Sequence, residues 1–107
     1  MFGLLKNLFA SADNNELKDA IKEGAFLVDV RTPGEFSGGS VKGAVNIPLD
    51  SIQNNLAKFK NKNNIVVFCR SGNRSAGAQS ILKRAGFTNV INGGTWQNVN
   101  QVVSSKK

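Results

Sequence analysis

The chain has 107 residues, enough for one domain with one core, and its 40% hydrophobic and 20% charged residues are ordinary for a globular domain. Its net charge of +7 favours anionic partners, but the basic residues are scattered and no nucleic-acid-binding motif is present, so we expect no nucleic acid partner. One cysteine and no histidine exclude an internal disulfide, a paired-cysteine metal or redox site and a cysteine–histidine dyad, and we expect neither metal nor cofactor.

The first twelve residues are predicted to be a lead-in segment. Residues 1–10, MFGLLKNLFA, are too short for a transmembrane helix, and they lack the basic start and the longer apolar run of a secretory signal. We interpret them as a short amphipathic stretch that packs on the domain or on a partner. Binding to a membrane surface is the alternative, and the low charge of the polar face disfavours it. We therefore expect a cytoplasmic location.

The next segment predicts a helix followed by a buried strand. The helix is expected to begin near Asp13, to be capped by Asp13 or Asn14, and to stop at Gly24. Residues 25–30, AFLVDV, form a nearly continuous apolar run, which is typical of a strand that a parallel sheet buries on both faces. Asp29 interrupts this run, and a charge at such a depth is usually paired. We expect a local network in which Asp29 is joined by Arg31 and Glu35.

Turn residues then alternate with one short strand and one helix. Residues 32–34, TPG, predict a turn, and residues 38–40, GGS, predict a flexible loop. Residues 44–48, AVNIP, predict a short strand that ends at the proline. Asp50 is expected to cap the helix that follows, with Gln53 placed for a capping box.

The most informative stretch is residues 65–75, IVVFCRSGNRS. It begins as a β-branched strand, ends that strand at Cys69, and passes through a polar loop into a helix expected from Ser75 to Ala85. Ligands of open α/β sheets bind at the carboxyl ends of the strands, where Cys69 lies. The loop amides and the helix dipole can hold an anion or a thiolate. The candidate binding residues are Arg70, Ser71, Gly72, Asn73, Arg74 and Ser75.

Each of these side chains also has a purely structural interpretation. Free cysteines are often inert core residues. An inert cysteine, however, has no use for two arginines, a glycine and a helix start directly after it, so we predict that Cys69 is a reactive thiol. Gly72 is expected mainly to permit a positive φ. Arg74 either meets the substrate or forms an ion pair with Asp29 or Glu35, and both readings stay open.

The rest of the chain completes an α/β pattern. Residues 89–92, NVIN, predict a last short strand, residues 93–94 a glycine turn, residues 96–103 a closing helix, and residues 104–107 a solvated tail. Strands that alternate with helices predict a three-layer α/β/α fold with a mainly parallel sheet of four to five short strands. This domain is expected to span residues 13–103.

Several blocks, in this order and spacing, resemble a single-domain rhodanese. They are residues 29–36 (DVRTPGEF), 41–48 (VKGAVNIP), 69–75 (CRSGNRS), 86–87 (GF) and 90–94 (VINGG). The resemblance covers about residues 14–100. Ser40 departs from the family's pattern, which usually has a histidine there that we take to be structural. The family's first strand is also hard to find before Asp13.

The resemblance implies a sulfurtransferase of the thiosulfate type. A small anionic donor would give its outer sulfur to Cys69, which becomes a persulfide, and a thiophilic acceptor such as cyanide, a thiol or a protein thiol would remove it. The family also implies that Arg70 to Arg74 shape a pocket for an anion such as thiosulfate. A thiolate is itself the nucleophile, and the loop amides stabilise it, so an ionised Cys69 needs no histidine base.

Other functions also fit parts of this sequence pattern. A cysteine phosphatase or arsenate reductase also places an anion-binding loop and an arginine after its cysteine. Those enzymes have five residues in between, whereas four separate Cys69 from Arg74, and a tighter loop suits a sulfur atom better than a phosphoryl group. A non-catalytic interaction module usually lacks the cysteine. A sulfur carrier for a specific protein stays open, because with no second cysteine a persulfide must leave to another molecule.

Overall fold

In the computed structural model, which describes residues 13–105, four parallel strands form one sheet flanked by helices on both faces. The strands are β1 (Phe26–Asp29), β2 (Val45–Asn46), β3 (Ile65–Cys69) and β4 (Val90–Thr95). The helices are α1 (Asp13–Lys22), α2 (Pro33–Ser37), α3 (Asn73–Arg84) and α4 (Trp96–Ser104), and two 3₁₀ segments cover Leu49–Ser51 and Gln53–Phe59. The predicted α/β class with a parallel sheet is confirmed.

Strand β3 occupies the interior of the sheet, whose order is β2–β1–β3–β4, and all five of its residues are buried. Successive side chains of a strand face opposite sides of the sheet. Val67 and Cys69 therefore pack in the cluster that contains residues of α3 and the 3₁₀ segments. Val66 and Phe68 pack in the other cluster, with residues of α1 and α4. A strand covered on both faces explains the unbroken apolar run that leads to Cys69.

Two local predictions between β1 and β3 are wrong. Residues 32–34 are not a simple turn, because Thr32 caps α2 and its side chain and that of Glu35 form a reciprocal capping box. Asp50 does not cap a helix: the first 3₁₀ segment follows Pro48, and the second contains Asn55 in a non-helical conformation. The asparagines in this stretch have low helix propensity, which agrees with short 3₁₀ turns in place of a regular helix.

Two boundaries on either side of the Cys69 loop also differ from the prediction. Helix α3 begins at Asn73, two residues before the expected start, because Gly72 is already its N-cap. Gly93 and Gly94 are not a turn but part of β4, where the pairing with β3 shifts register between Val67 and Phe68. A β-bulge of this kind absorbs one extra residue without ending the strand.

Parts of the termini lie outside the described residues. The predicted lead-in segment, residues 1–12, is among them, and so are Lys106 and Lys107 of the predicted tail. Within residues 13–105, no helix is long and apolar enough to cross a membrane. The cytoplasmic location stays a prediction.

Candidate active site

The sulfur of Cys69 lies in a cradle of hydrogen-bond donors. The backbone N–H of Gly72 donates to Sγ at 3.0 Å, and the N–H of Ser75 donates to it at 3.4 Å. The Sγ atom also lies 3.5 Å from the hydroxyl oxygen of Ser75. The predicted convergence of loop amides on the cysteine is therefore present in the structure, with Gly72 and Ser75 as the donors.

The loop can close this tightly because Gly72 adopts a left-handed conformation. Its φ of 95° lies in the region that residues with a Cβ rarely adopt, which matches the role expected for this glycine. The turn directs the chain from the end of β3 straight into α3. As a result, the first turn of α3 presents its free N–H groups and its positive dipole end to the sulfur.

These donors decide the ionisation of the thiol. Burial opposes a charge on Cys69, but the Ser75 hydroxyl and amide, followed by the amides of Ser71 and Gly72, outweigh it, and the pKa of the thiol lies below its ordinary value. The charge of Arg74 also interacts with Cys69, and this interaction raises the pKa of Arg74. The site thus favours the reactive thiolate form.

The side chains of the loop differ in their exposure to solvent. Ser75 is buried against the sulfur, whereas Arg70, Ser71 and Asn73 are exposed. Among residues 13–105, none of these three exposed side chains forms a hydrogen bond, and Arg70 forms no ion pair. They are therefore free to meet a molecule that approaches the loop.

Arg74 is paired with Glu35. Its guanidinium donates to both carboxylate oxygens of Glu35, at 2.8 and 3.1 Å, and the two side chains are 34% and 28% exposed. The hydrogen bond from Arg74 is the main cause that lowers the pKa of Glu35 to about 2, and the same bond raises the pKa of Arg74. Of the two interpretations of Arg74, the ion pair is the one present, so an incoming anion has to compete with Glu35.

Asp29 and Arg31 form a buried network that does not include Glu35, which corrects the expected three-residue arrangement. The Nε and Nη2 atoms of Arg31 donate to the carboxylate of Asp29, at 2.7 Å for the shortest contact. Ser40 donates to the same carboxylate at 2.6 Å, and the guanidinium of Arg31 stacks on the ring of Trp96. The serine that departs from the family's pattern thus satisfies a buried charge, and the network supports the fold beside the site.

Asn92 is the site residue that the sequence analysis missed. Its Oδ1 atom lies 2.7 Å from the hydroxyl oxygen of Ser75, and its Nδ2 atom lies 3.5 Å from the carbonyl oxygen of Gly72. The sequence analysis placed Asn92 at the end of the last strand and in one block of the resemblance, but it gave this residue no role at the site. Its side chain reaches the Cys69 loop because Asn92 pairs with Val67, which lies on the same side of the sheet as Cys69.

Two cavities have to be compared, and only the smaller of them lies beside the Cys69 loop. A cleft of about 240 Å³ beside the loop is lined by Val30, Thr32, Leu49 and Arg74, among others. A larger cavity of about 480 Å³ lies between α1 and α4, lined by residues such as Lys18 and Val102, and contains none of the loop residues. The Cys69 loop stays the candidate site, because the cysteine lies there and not in the larger cavity.

Comparison with known proteins gives one consistent result. The model of the rhodanese-like domain family matches residues 13–96. The chain is 38% identical over 84 residues to an Arabidopsis thaliana protein named thiosulfate sulfurtransferase 16, chloroplastic, covering 67% of this chain and 70% of that protein. It is 39% identical over 69 residues to a protein of Escherichia coli named thiosulfate sulfurtransferase, covering 63% of this chain and 66% of that protein.

A solved structure agrees with these relatives. The chain superposes on a rhodanese of Escherichia coli solved with anions, with a TM-score of 0.64 and 32% identity, covering 70% of this chain and 91% of that one. The chain spans about two thirds of the length of the curated relatives it matches. The segment that the family model matches, residues 13–96, contains both the Cys69 loop and the strand that carries Asn92.

Proposed function

The chain belongs to the rhodanese-like domain family, and on that premise we propose that it is a sulfurtransferase that carries sulfur on Cys69. The donor would be a small anion with a transferable outer sulfur, of which thiosulfate is the model. The acceptor would be cyanide, a small thiol or a protein thiol. In this proposal Cys69 is the catalytic residue, residues 70–75 bind the substrate, and Asp29, Arg31 and Glu35 support the loop.

One observation carries the proposal: the Cys69 sulfur receives two backbone N–H groups, at 3.0 and 3.4 Å, at the start of a helix. Such donors stabilise a negative charge on sulfur whether it is a thiolate or the terminal sulfur of a persulfide anion. They belong to the backbone, so they stay in place through both steps of a two-step transfer. No histidine is available as a base, and a thiol that is already ionised needs none.

The two steps balance as nucleophilic displacements at sulfur. The Cys69 thiolate attacks the outer sulfur of thiosulfate, a new S–S bond forms, and sulfite leaves with the electron pair of the broken S–S bond. An acceptor nucleophile such as cyanide then attacks the outer sulfur of the persulfide. The product is thiocyanate, and the electron pair of that S–S bond returns to Cys69 as the thiolate.

The charges around the loop suit an anionic donor. Arg70 is exposed beside the cysteine and adds to the net charge of +7. Arg74 is held by Glu35, and it would contact the donor only by exchanging one anion for another. We propose that the charge of Arg70 attracts the anionic donor to the loop and that Arg74 contributes positive charge beside the bound donor.

Intact-mass spectrometry tests the persulfide directly. Exposure to thiosulfate is expected to add the mass of one sulfur atom, and cyanide is expected to remove it and produce thiocyanate. The control is Cys69→Ser, which keeps the size of the side chain but offers a hydroxyl that is a poor nucleophile at sulfur. It should neither gain mass nor turn over, while its circular dichroism spectrum matches the wild type. Turnover by folded Cys69→Ser would overturn the proposal.

A phosphatase activity is the competing enzyme function, and we predict that it is negligible. The interval of four residues between Cys69 and Arg74 makes a short loop, and the Arg74 guanidinium that would bind a phosphoryl group is paired with Glu35. Hydrolysis of an aryl phosphate, followed by release of the phenol, should stay at the level of Cys69→Ser. A rate comparable to thiocyanate formation would reverse the choice between the two enzyme classes.

A dedicated sulfur carrier is the second candidate function. The sequence contains no second cysteine, which is compatible with a carrier. A persulfide on Cys69 has no partner in this chain and must pass to another molecule. The isotope-labelled persulfide form, incubated with either small thiols or a thiol-bearing protein, separates the two functions. Rapid transfer to small thiols supports the enzyme, whereas transfer to a protein thiol alone supports the carrier.

A further inference from the structure

The position of Asn92 is set by the register of β4 on β3. Val67 of β3 pairs with Asn92, directly before the β-bulge in which Gly93 is the extra residue and Phe68 pairs with Gly94. Neighbouring residues in register face the same side of a sheet, and Val67 packs on the α3 side with Cys69. The side chain of Asn92 is therefore directed to the face on which Ser75 of α3 lies.

The neighbours of Asn92 determine which end of its carboxamide faces Ser75. The backbone nitrogen of Gly94 donates to Oδ1 at 2.9 Å, and a backbone nitrogen can only donate, so this atom is the oxygen. An amide oxygen can only accept. The contact of 2.7 Å between Oδ1 and the Ser75 hydroxyl is therefore a hydrogen bond in which Ser75 is the donor.

The Ser75 hydroxyl has one hydrogen, and this hydrogen bond uses it. The same hydroxyl lies 3.0 Å from the carbonyl oxygen of Gly72, which is a second acceptor. With its hydrogen directed to these oxygens, Ser75 can only accept from the sulfur atom 3.5 Å away. That arrangement fits Cys69 as a thiol, whose S–H points to Ser75. A thiolate has no hydrogen to donate, and the Ser75 hydroxyl helps it only by turning its own hydrogen to the sulfur.

We propose that Asn92 is a positioning residue that holds the Ser75 hydroxyl hydrogen while Cys69 is protonated and releases it to the sulfur when the proton leaves. The hydrogen bonds of the Asn92 side chain go to Ser75, Gly72 and Gly94 and not to the sulfur, so Asn92 acts through Ser75. It competes with the thiolate for one hydrogen bond, and so it moderates the ionisation that the backbone amides favour. The inference rests on the proposed function only in taking Cys69 as the reacting group.

The charged groups near this trio stay unchanged in the test. Arg74, next to Ser75 on α3, is paired with Glu35 on α2, and the Asp29–Arg31 pair lies at the end of β1. Arg70, next to Cys69, is exposed and keeps its charge in every variant. Replacing Asn92 by leucine therefore acts on Cys69 through the hydroxyl rather than through a new net charge.

The test measures the pH dependence of Cys69 alkylation by iodoacetamide in four forms: wild type, Asn92→Leu, Ser75→Ala and the double variant. Leucine has a similar size and no acceptor. Asn92→Leu is expected to lower the apparent pKa by about half a unit to one unit, because the freed hydroxyl donates to the thiolate. Ser75→Ala is expected to raise it. In the double variant the effect of Asn92→Leu should vanish, because the hydroxyl through which it acts is gone.

Asn98 provides a matched control for disturbance of the bulge. Its Nδ2 atom donates to the carbonyl oxygen of Gly93 at 2.9 Å, within the same bulge, and it does not contact Ser75. Asn98→Leu should leave the apparent pKa of Cys69 unchanged. A shift in this control equal to that of Asn92→Leu would reduce Asn92 to a structural role and overturn the proposal.

A second substitution keeps the test decisive if leucine prevents folding. Asn92→Asp keeps the shape and the acceptor. Its carboxylate holds the Ser75 hydrogen more tightly, and its negative charge also opposes the thiolate, so the apparent pKa of Cys69 should rise. The rise should be smaller in the Ser75→Ala background. An equal rise in both backgrounds, or a higher pKa in Asn92→Leu, overturns the proposal. Alkylation needs no sulfur donor, so these outcomes are independent of the thiosulfate experiment.

Discussion

The groups that lower the pKa of the Cys69 thiol are mainly neutral hydrogen-bond donors. Two backbone amides and one hydroxyl surround the sulfur. The charge of Arg74 is matched by Glu35, and Arg70 is exposed to solvent, which screens its charge. The backbone donors belong to the start of a helix, so the path of the chain fixes their positions around the Cys69 sulfur.

We predict that a larger fraction of Cys69 is ionised at neutral pH than of a free thiol. A free thiol has a pKa of about 8.5, and the donors around Cys69 lower the pKa from the ordinary value, so the thiolate fraction at pH 7 should exceed the few per cent of a free thiol. The rate of iodoacetamide alkylation against pH measures it, with the protein unfolded in urea as the control.

The variant Arg74→Ala separates the two causes of ionisation. It should raise the pKa of Cys69 less than Ser75→Ala does, because the charge it removes was already balanced by Glu35. A single wild-type inflection near about 8.5, equal to that of the unfolded control, would show that the loop does not activate the thiol.

At the scale of elements, the register of β4 on β3 links the sheet to the Cys69 loop. Asn92 faces the loop because it pairs with Val67, and Gly93 follows it as the extra residue of the bulge. A Cβ on Gly93 would lie 2.6 Å from a methyl group of Val99 and 3.0 Å from one of Val66. Both valines are fully buried, and they have no open space to move into.

We predict that Gly93→Ala destabilises the protein by about 1–3 kcal/mol, the usual cost of overpacking a filled core. Gly34→Ala is the matched control: a Cβ at Gly34 meets no atom within 4 Å, its φ is not positive, and it lies in α2, where alanine is the better helix former. Urea unfolding of both variants measures the difference. Equal stabilities would show that the core beside the bulge can rearrange at little cost.

At the scale of the whole molecule, polar contacts join segments that are distant in sequence. The Asp29 carboxylate is fully buried and is satisfied by Arg31 and by Ser40 of the following loop. Among the described residues, no buried side-chain nitrogen or oxygen lacks a hydrogen-bond partner. The ion pair of Glu35 and Arg74 connects α2 to α3 across the mouth of the site. The Cys69 loop is thus held by contacts with the segment that follows β1, and also by the contacts of Asn92 on β4.

The Glu35–Arg74 pair predicts a defined pH dependence of stability. The pKa of Glu35 is lowered from its ordinary 4.5 to about 2, so the contribution of the pair is fully present above pH 4.5 and is lost as the pH falls through about 2. Unfolding free energies of wild type and Glu35→Gln should therefore differ at neutral pH and converge toward pH 2. Because both side chains are partly exposed, we expect a small difference. A difference that does not shrink at low pH would contradict this account.

The same variant has an opposite effect on donor binding. Glu35→Gln frees the charge of Arg74, so the KM for thiosulfate should fall even as stability decreases, whereas Arg74→Ala should raise the KM. An unchanged KM in both variants would assign Arg74 to the structure alone. Steady-state thiocyanate formation measures both.

Local patterns were enough to predict much of this protein. The helix before Gly24, the apolar strands β1 and β3, the closing helix and the position of Cys69 all follow from periodicity, β-branched residues and turn residues within a few positions of each other. The loop amides around the sulfur could be anticipated as well, because a strand, a glycine and a helix start in direct succession leave the backbone few other paths.

What the sequence could not decide depends on contacts between distant segments. Ser40 reaches Asp29 across 11 positions, Asn92 reaches Ser75 across 17, and Glu35 reaches Arg74 across 39. The first two follow from how the loop after α2 folds back and from the register of β4 on β3, and neither leaves a local pattern. That Arg74 pairs with Glu35 rather than with Asp29 also depends on contacts between distant segments. Asp29 is buried with Arg31, and the reciprocal cap of α2 holds the Glu35 carboxylate where Arg74 can reach it.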